Sequence, residues 1–382
     1  MYTMSNRSKA GEKMSCRTRP AARKQSILYE EEAMRKGLFM TILSVIFCVS
    51  AAAQKVDVKP SKGIAFKGEN SALQIGGRIQ ARHTYDGEKE LSSFSTPRVR
   101  LALKGTIYKN FKWEFQSDFA KKGAATLKDG LVEFAHSSAF NVRFGQYKIR
   151  FDRQQLESSG RQTFVDRALA AGRLGLGRDV GVLVHGSFAE KKIQYSTGLF
   201  NGAGEGGANI ANRNHMIVGR LSFNPMGDFG LSQSDIKPSK KHLIFLDAAI
   251  AHQPEDDDKT EPADTRMVGG AGYRNGGIYL AGEYYMRTQE AQGVKTESSA
   301  LYAQAGLMVV PEKLEFAARY STFDPNTDVD DNIQSEIMGG INFFFNKLGH
   351  SMKLTVDAAM VKDQPKGDDS YFRSRVQFQL VF

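Results

Sequence analysis

The sequence predicts an all-β protein, a transmembrane antiparallel β-barrel of about 16 strands. Three observations carry this. Segment after segment alternates apolar and polar residues at period two, as a strand does when its two faces meet different solvents. The connections between these segments alternate between short turns and long loops. The chain ends on its most regular alternating stretch, YFRSRVQFQLVF at 371–382, whose last residue is a bare aromatic, Phe382.

The elements follow in chain order. The first 53 of the 382 residues are basic and differ in character from the rest. Within them, Arg35 and Lys36 precede an apolar run, Gly37 to Val49, and Ala51 and Ala53 place a small-x-small cleavage site before Gln54. Residues 34–53 are therefore expected to be a secretory signal peptide, and residues 1–33 an upstream over-extension of the reading frame or a disordered extension. The apolar run ending at Ala53 is short for a spanning helix, which needs about 20 residues. Both cysteines, Cys16 and Cys48, lie in this leader. An exported chain without a disulfide must draw its stability from a bonded framework or a large core. The leader also holds 9 of the 52 Lys and Arg but 4 of the 42 Asp and Glu, so the remainder is only mildly basic. Nucleic acid is not an expected partner.

Residues 54–72 are read as a periplasmic N-terminal segment and 73–382 as the barrel. After Gln54 no apolar segment approaches 20 residues, which excludes a helical membrane protein. In LQIGGRIQARHTY, Leu73, Ile75, Ile79 and Ala81 share one face, and Gln74, Arg78, Gln80 and Arg82 the other. In PRVRLALKGTIY, Val99, Leu101, Leu103 and Ile107 oppose Arg98, Arg100 and Lys104. In FKWEFQSDF, Phe111, Trp113, Phe115 and Phe119 oppose Lys112, Glu114, Gln116 and Asp118. Further strands are expected at 127–136, 140–149, 179–188, 192–199, 215–223, 242–253, 264–274 and 277–288. The last five fall at 299–309, 313–321, 333–345, 351–362 and 371–382.

Connections after even-numbered strands are tight, such as Lys109-Asn110 and Asn275-Gly276, and those after odd-numbered strands are longer. The exception is 224–241, NPMGDFGLSQSDIKPSKK, long where a short turn is expected. A missed short strand or an ordered periplasmic insertion would both fit. In hydrocarbon every backbone polar group needs an internal partner, so the sheet must close on itself. A soluble sandwich or propeller would turn its apolar residues inward and has no use for aromatics at both ends of a strand, as at Phe372 and Phe382.

The stretch VRFGQYKIRFDRQQLESSGRQTFVDRALAA followed by GRDVGVLVHG, within 142–186, resembles the phosphate-selective porin O and P family. The resemblance is carried by Gly145, Gln146, Tyr147 and Lys148, by Asp166 and Arg167, and by Arg178, Asp179, Val180, Gly181 and Val182. TGLFNGAG at 197–204 and GRLSFNP at 219–225 match the family's next block, whereas Arg150 stands where its pattern has proline. The resemblance implies a porin in the outer membrane of a Gram-negative bacterium, often a homotrimer, passing small anions.

The resemblance also implies that the loop after strand five narrows the pore. Residues 150–178 carry Arg150, Arg153, Arg161, Arg167, Arg173 and Arg178 against Asp152, Glu157 and Asp166, a net charge of +3. Closure of strand 16 on strand 1 is expected to set Arg373 and Arg375 beside Arg78 and Arg82, and these beside Arg98 and Arg100. The expected function is a diffusion channel preferring phosphate or similar small anions, because basic lining in a low-dielectric tube concentrates anions. The competing reading is that these arginines pair with neighbouring acids and hold the lumen together.

Weaker signals remain. GAGEGG at 202–207 has dinucleotide-fingerprint spacing without a following helical period, and reads as a flexible extracellular loop. In DPNTDVDD, Asp324, Asn326 and Asp328 have calcium-loop spacing, but Val329 replaces the required Gly, so a solvated acidic loop fits better. PEDDDKTEPAD at 254–264 reads as a charged surface loop that could meet lipopolysaccharide through divalent cations. No cofactor or catalytic motif is found: Gly-x-Ser-x-Gly is lacking and the seven histidines are scattered. An enzyme barrel with a site assembled in space, or a plugged adhesin barrel, is the alternative. The outer face is expected to meet lipid and lipopolysaccharide, and the aromatic tail at Phe382 to be read by the barrel-assembly machinery.

Overall fold

The computed structural model describes residues 55–59, 63–120, 124–207, 214–256, 261–364 and 370–382. The leader, with the expected signal peptide and its Ala53/Gln54 cleavage site, lies outside them. A short hairpin, β1 (Lys55–Lys59) and β2 (Gly63–Lys67), precedes the barrel. The first half of the barrel is β3 (Ser71–Asp86), β4 (Leu91–Ile107), β5 (Phe111–Asp118), β6 (Thr126–Ala135), β7 (Asn141–Lys148), β8 (Arg178–Phe188), β9 (Ile193–Phe200) and β10 (Met216–Phe223). The second half is β11 (Leu243–Gln253), β12 (Ala263–Asn275), β13 (Ile278–Ala291), β14 (Val294–Val310), β15 (Leu314–Asp324), β16 (Gln334–Phe344), β17 (Met352–Asp363) and β18 (Ser370–Val381). Each strand from β3 to β18 pairs antiparallel with the next, and β18 pairs with β3, so the sheet closes at 16 strands.

All sixteen expected strands are present. Several run further than hydropathy alone suggests. β3 and β4 continue through the expected loop to a four-residue turn, and β13 and β14 to the two-residue turn Gln292-Gly293, both at positive φ. Beyond the bilayer both faces of a strand are wet, so backbone pairing persists after the apolar alternation has stopped.

The alternation sorts side chains by solvent. Ile79, Leu221, Ile250, Phe316, Ile337 and Phe378 stand exposed on the outer face. In a bilayer that band meets hydrocarbon. The inner face is polar and filled, with Gln80, Glu315, Asn342, Lys353, Asp357 and Gln379 all buried. An apolar core lies inside the barrel, where Phe151, Ala170, Ala171 and Leu174 of the connection after β7 pack on Val218, Tyr285 and Tyr302 of the wall. That connection contains two short helices, α1 (Arg153–Leu156) and α2 (Leu169–Arg173). It folds into the lumen, as expected for a constriction loop.

The unexplained segment after β10 also turns inward, from the short-turn rim. Its Gln233 amide hydrogen bonds to Arg161 O at 3.0 Å, and its Ser234 hydroxyl to Glu315 at 2.9 Å. Phe229 is buried against Phe245 and Tyr279. The segment is an ordered insertion supporting the constriction loop from below, not a missed strand.

Candidate functional site

The constriction loop is held by residues that also carry the family-like motif. Gly145 has φ +116°, and a Cβ there would lie 2.2 Å from Gly130 O, so only glycine fits this close strand approach. Gln146 then donates to Leu127 O at 2.8 Å and accepts from Gly206 N at 2.9 Å. Lys148 Nζ reaches the carbonyls of Leu156 and Glu157 at 3.1 and 2.9 Å, fastening the end of α1. Arg167 binds the same turn through Gln154 O at 2.8 Å and Glu157 O at 3.0 Å. The N-terminus of α1 is capped by Asp152, which accepts from Gln155 N at 2.7 Å, while Glu283 of β13 accepts from Arg153 N at 2.6 Å. Further along, Val165 N donates to Asp357 at 2.9 Å and Ala170 N to Ser321 at 3.1 Å. The loop thereby lies against the β13–β18 wall.

The wall arginines point into the lumen, in an arrangement that differs from the expected one. Arg78 lies opposite Arg100, but Gln80 lies opposite Arg98. Across the closing seam, Gln377 lies opposite Arg82 and Val381 opposite Arg78. Arg375 and Arg373 are displaced towards the long-loop rim, opposite Thr84 and Asp86. The stagger that closure imposes on adjoining strands thus turns the expected side-by-side row into a staircase.

Acids meet most of these cations. Asp166 of the loop binds Arg82 at 3.0 Å and Arg375 at 3.0 Å, with Arg98 at 3.7 Å. Burial disfavours the Asp166 carboxylate, but Arg375, Arg82 and Arg98 outweigh it and hold its pKa well below the usual carboxylate range. Arg100 pairs with Asp118 at 2.7 Å and Arg178 with Asp129 at 2.8 Å. Arg373 pairs with Glu336. Arg153 is buried beside Glu157 at 3.3 Å and Asp247 at 3.5 Å, with its guanidinium 3.9 Å from the Phe245 ring centre. Arg173 reaches Gln334 at 2.9 Å. Pairing, the competing reading, describes most of the expected anion-selectivity residues.

What remains is a cavity of about 820 Å³ opening towards the short-turn rim, between the loop and β3–β10. Eleven Lys or Arg line it against three Asp or Glu; seven of the eleven pair with carboxylates, and the other four leave its field positive. Arg78 donates, among the described residues, to the hydroxyls of Ser158 and Ser159, at 3.3 and 3.0 Å. Among the described residues, Arg78, Lys148, Arg150 and Arg161 have no carboxylate within ion-pair distance. The sequence marks Lys148 only as part of the family-like motif and not as a pore-lining residue, because its role depends on a loop folding back onto it.

The weaker motifs have structural roles. GAGEGG is tied down rather than free: Glu205 pairs with Lys128, and Gly202 N donates to Asp179 at 2.6 Å. In the acidic loop, Asp324 accepts from Asn326 N and Asn326 from Asp328 N, so the side chains stabilise their own turns. Asp264 bridges Arg266 and Arg287, at 2.7 and 2.8 Å. Residues 257–260 of its loop lie outside the described residues.

Comparison with known proteins follows the same lines. A family model described as phosphate-selective porin O and P matches residues 73–382. An uncharacterized protein of Aquifex aeolicus is 24% identical over 323 residues, covering 78% of this chain and 70% of that protein. Among solved structures, an anion-selective porin from Comamonas acidovorans aligns with a TM-score of 0.58 at 15% identity, covering 82% of this chain and 100% of that one. The outer membrane channel DcaP of Acinetobacter baumannii aligns at 0.58 and 10% identity, covering 83% and 99%. The outer membrane protein OmpT of Vibrio cholerae, in a trimer form, aligns at 0.58 and 10% identity, covering 82% and 100%.

Proposed function

This chain belongs to the phosphate-selective porin O and P family, an outer-membrane diffusion channel by fold and family, and we propose that its pore prefers small anions such as phosphate. The observation that carries the proposal is the cation excess of the short-turn-side cavity, above all Arg78, Lys148, Arg150 and Arg161 without carboxylate partners among the described residues. A positive field in a low-dielectric tube raises the local anion concentration, while partners limited to hydroxyls and carbonyls leave charge available to a solute. The selectivity of the Comamonas relative supports the same reading.

The wider proposal is a homotrimer in the outer membrane, its outer band in lipid and lipopolysaccharide. The chain would be exported by a signal peptide cleaved before Gln54 and inserted by the barrel-assembly machinery. Reversal potentials across planar bilayers under a salt gradient test the selectivity. The wild-type pore should favour chloride over potassium, and the pair Arg78→Gln with Lys148→Gln should reduce that ratio about threefold or more. Cation selectivity in the wild type, or an unchanged ratio in the double variant, overturns the reading.

A further inference from the structure

The long-loop side of the constriction contains a second concentration of guanidinium groups. Unlike the cavity below, its centre is occupied by the chain itself. Asp166 accepts from both Arg82 terminal nitrogens, at 3.0 and 3.1 Å, and from Arg375 at 3.0 Å, with Arg98 at 3.7 Å. Gln377 completes the arrangement by accepting from Arg82 Nε at 3.1 Å. Arg375 is shared with Asp357 at 2.8 Å, and Arg98 also donates to Gln80 at 2.9 Å. One carboxylate thus faces three guanidinium groups from three neighbouring strands, the geometry of a planar oxyanion held by forks of donors.

The carboxylate is also the most open member of the group. Its side chain is 36% exposed, against 12% for Arg82 and 6% for Arg375. Its position is set by contacts that do not use its charge. On one side Val165 N donates to Asp357, and Phe164 packs with Met338 and Ala359. On the other, Arg167 grips α1, and Arg319 donates to the Asp166 carbonyl at 3.0 Å.

We infer that Asp166 acts as a built-in counter-ion: its carboxylate occupies an anion site formed by Arg82, Arg98 and Arg375 and keeps that site from retaining passing solutes. The inference rests on the anion-preferring reading above. A conducting site must bind its ion strongly enough to admit it and weakly enough to release it. Three converging guanidinium groups without Asp166 would hold a tetrahedral oxyanion with several charge-assisted bonds. With Asp166 in place, the cluster attracts anions but offers no vacant set of donors.

The test is chloride current through single pores, titrated with inorganic phosphate. Wild type should show little inhibition. Asp166→Asn and Asp166→Ala should each show saturable inhibition, with current falling about threefold or more on the order of 10 mM phosphate. Adding Arg82→Gln to Asp166→Asn should remove it. Heat-modifiable mobility on gels verifies that each variant forms a barrel. If wild type is anion-selective but neither Asp166 variant gains phosphate inhibition, this inference alone fails. A purely structural role for Asp166 predicts equal loss of current with and without phosphate, and overturns it equally. A cation-selective wild type removes the underlying anion reading.

Discussion

Single residues here act mainly by position, and Gly145 shows this most plainly. Its backbone sits at φ +116°, and the nearest atom to any added Cβ would be a partner-strand carbonyl oxygen. Neither can relax without moving the β6–β7 pair on which Lys148 and the constriction loop depend. Gly145→Ala should therefore cost about 1–3 kcal/mol of barrel stability, read as a lower urea midpoint for refolding into detergent micelles. An unchanged midpoint would show that the strand pair absorbs the methyl group. The Gly-Gln-Tyr-Lys motif was legible in the sequence as a resemblance, but not its mechanics. Gly145 permits the close approach, Gln146 joins β6 to the loop after β9, and Lys148 fastens α1. Each function depends on how strands and loops fold back on one another, which no local pattern discloses.

At the scale of elements, alternation disclosed the strands because a bilayer and a wet lumen impose opposite demands on successive side chains. It could not disclose the elements that fill the lumen. The segment after β10 shows no period because it belongs to neither wall. Gln233 is its keystone: its side chain accepts from Thr163 N at 2.9 Å and from Gln304 at 3.0 Å, and donates to Glu157 at 2.7 Å. Gln233→Ala would leave buried groups of the constriction loop without partners, at about 1–3 kcal/mol each. That loss falls on the loop and leaves the strands paired. The expected result is a barrel that still forms, with increased open-channel noise and sub-conductance steps in single-channel records. Quiet currents would mean that the loop is held by the β13–β18 wall alone. The same separation explains the arginines: their inward direction could be read from period two, but their partners come from the loop and from neighbouring strands.

For the whole molecule, the decisive feature is closure, and it falls on the last residue. Phe382 N donates to Gly77 O at 3.0 Å, and Gly77 N to Phe382 O at 2.7 Å. The Phe382 ring covers the Gly77 position, where a Cβ would meet it at 2.5 Å. Below this point β18 is exhausted, and β2 takes over the β3 edge, pairing Ile64 with Ile75 through Lys67 with Ala72. The seam is thus shared between β18 and the β1–β2 hairpin, which covers the β3 edge beyond Phe382. Deleting Phe382 removes two backbone hydrogen bonds of one seam and should lower stability in detergent by about 2 kcal/mol, while a barrel still forms. In cells the same deletion should reduce outer-membrane levels far more steeply if the aromatic tail is also read during insertion. Gly77→Ala separates the two effects, since it displaces the ring from its seat but leaves the tail sequence intact. Equal losses from Gly77→Ala and from the deletion, in detergent and in cells alike, would assign Phe382 to closure alone. A cellular defect confined to the deletion would assign it to recognition as well.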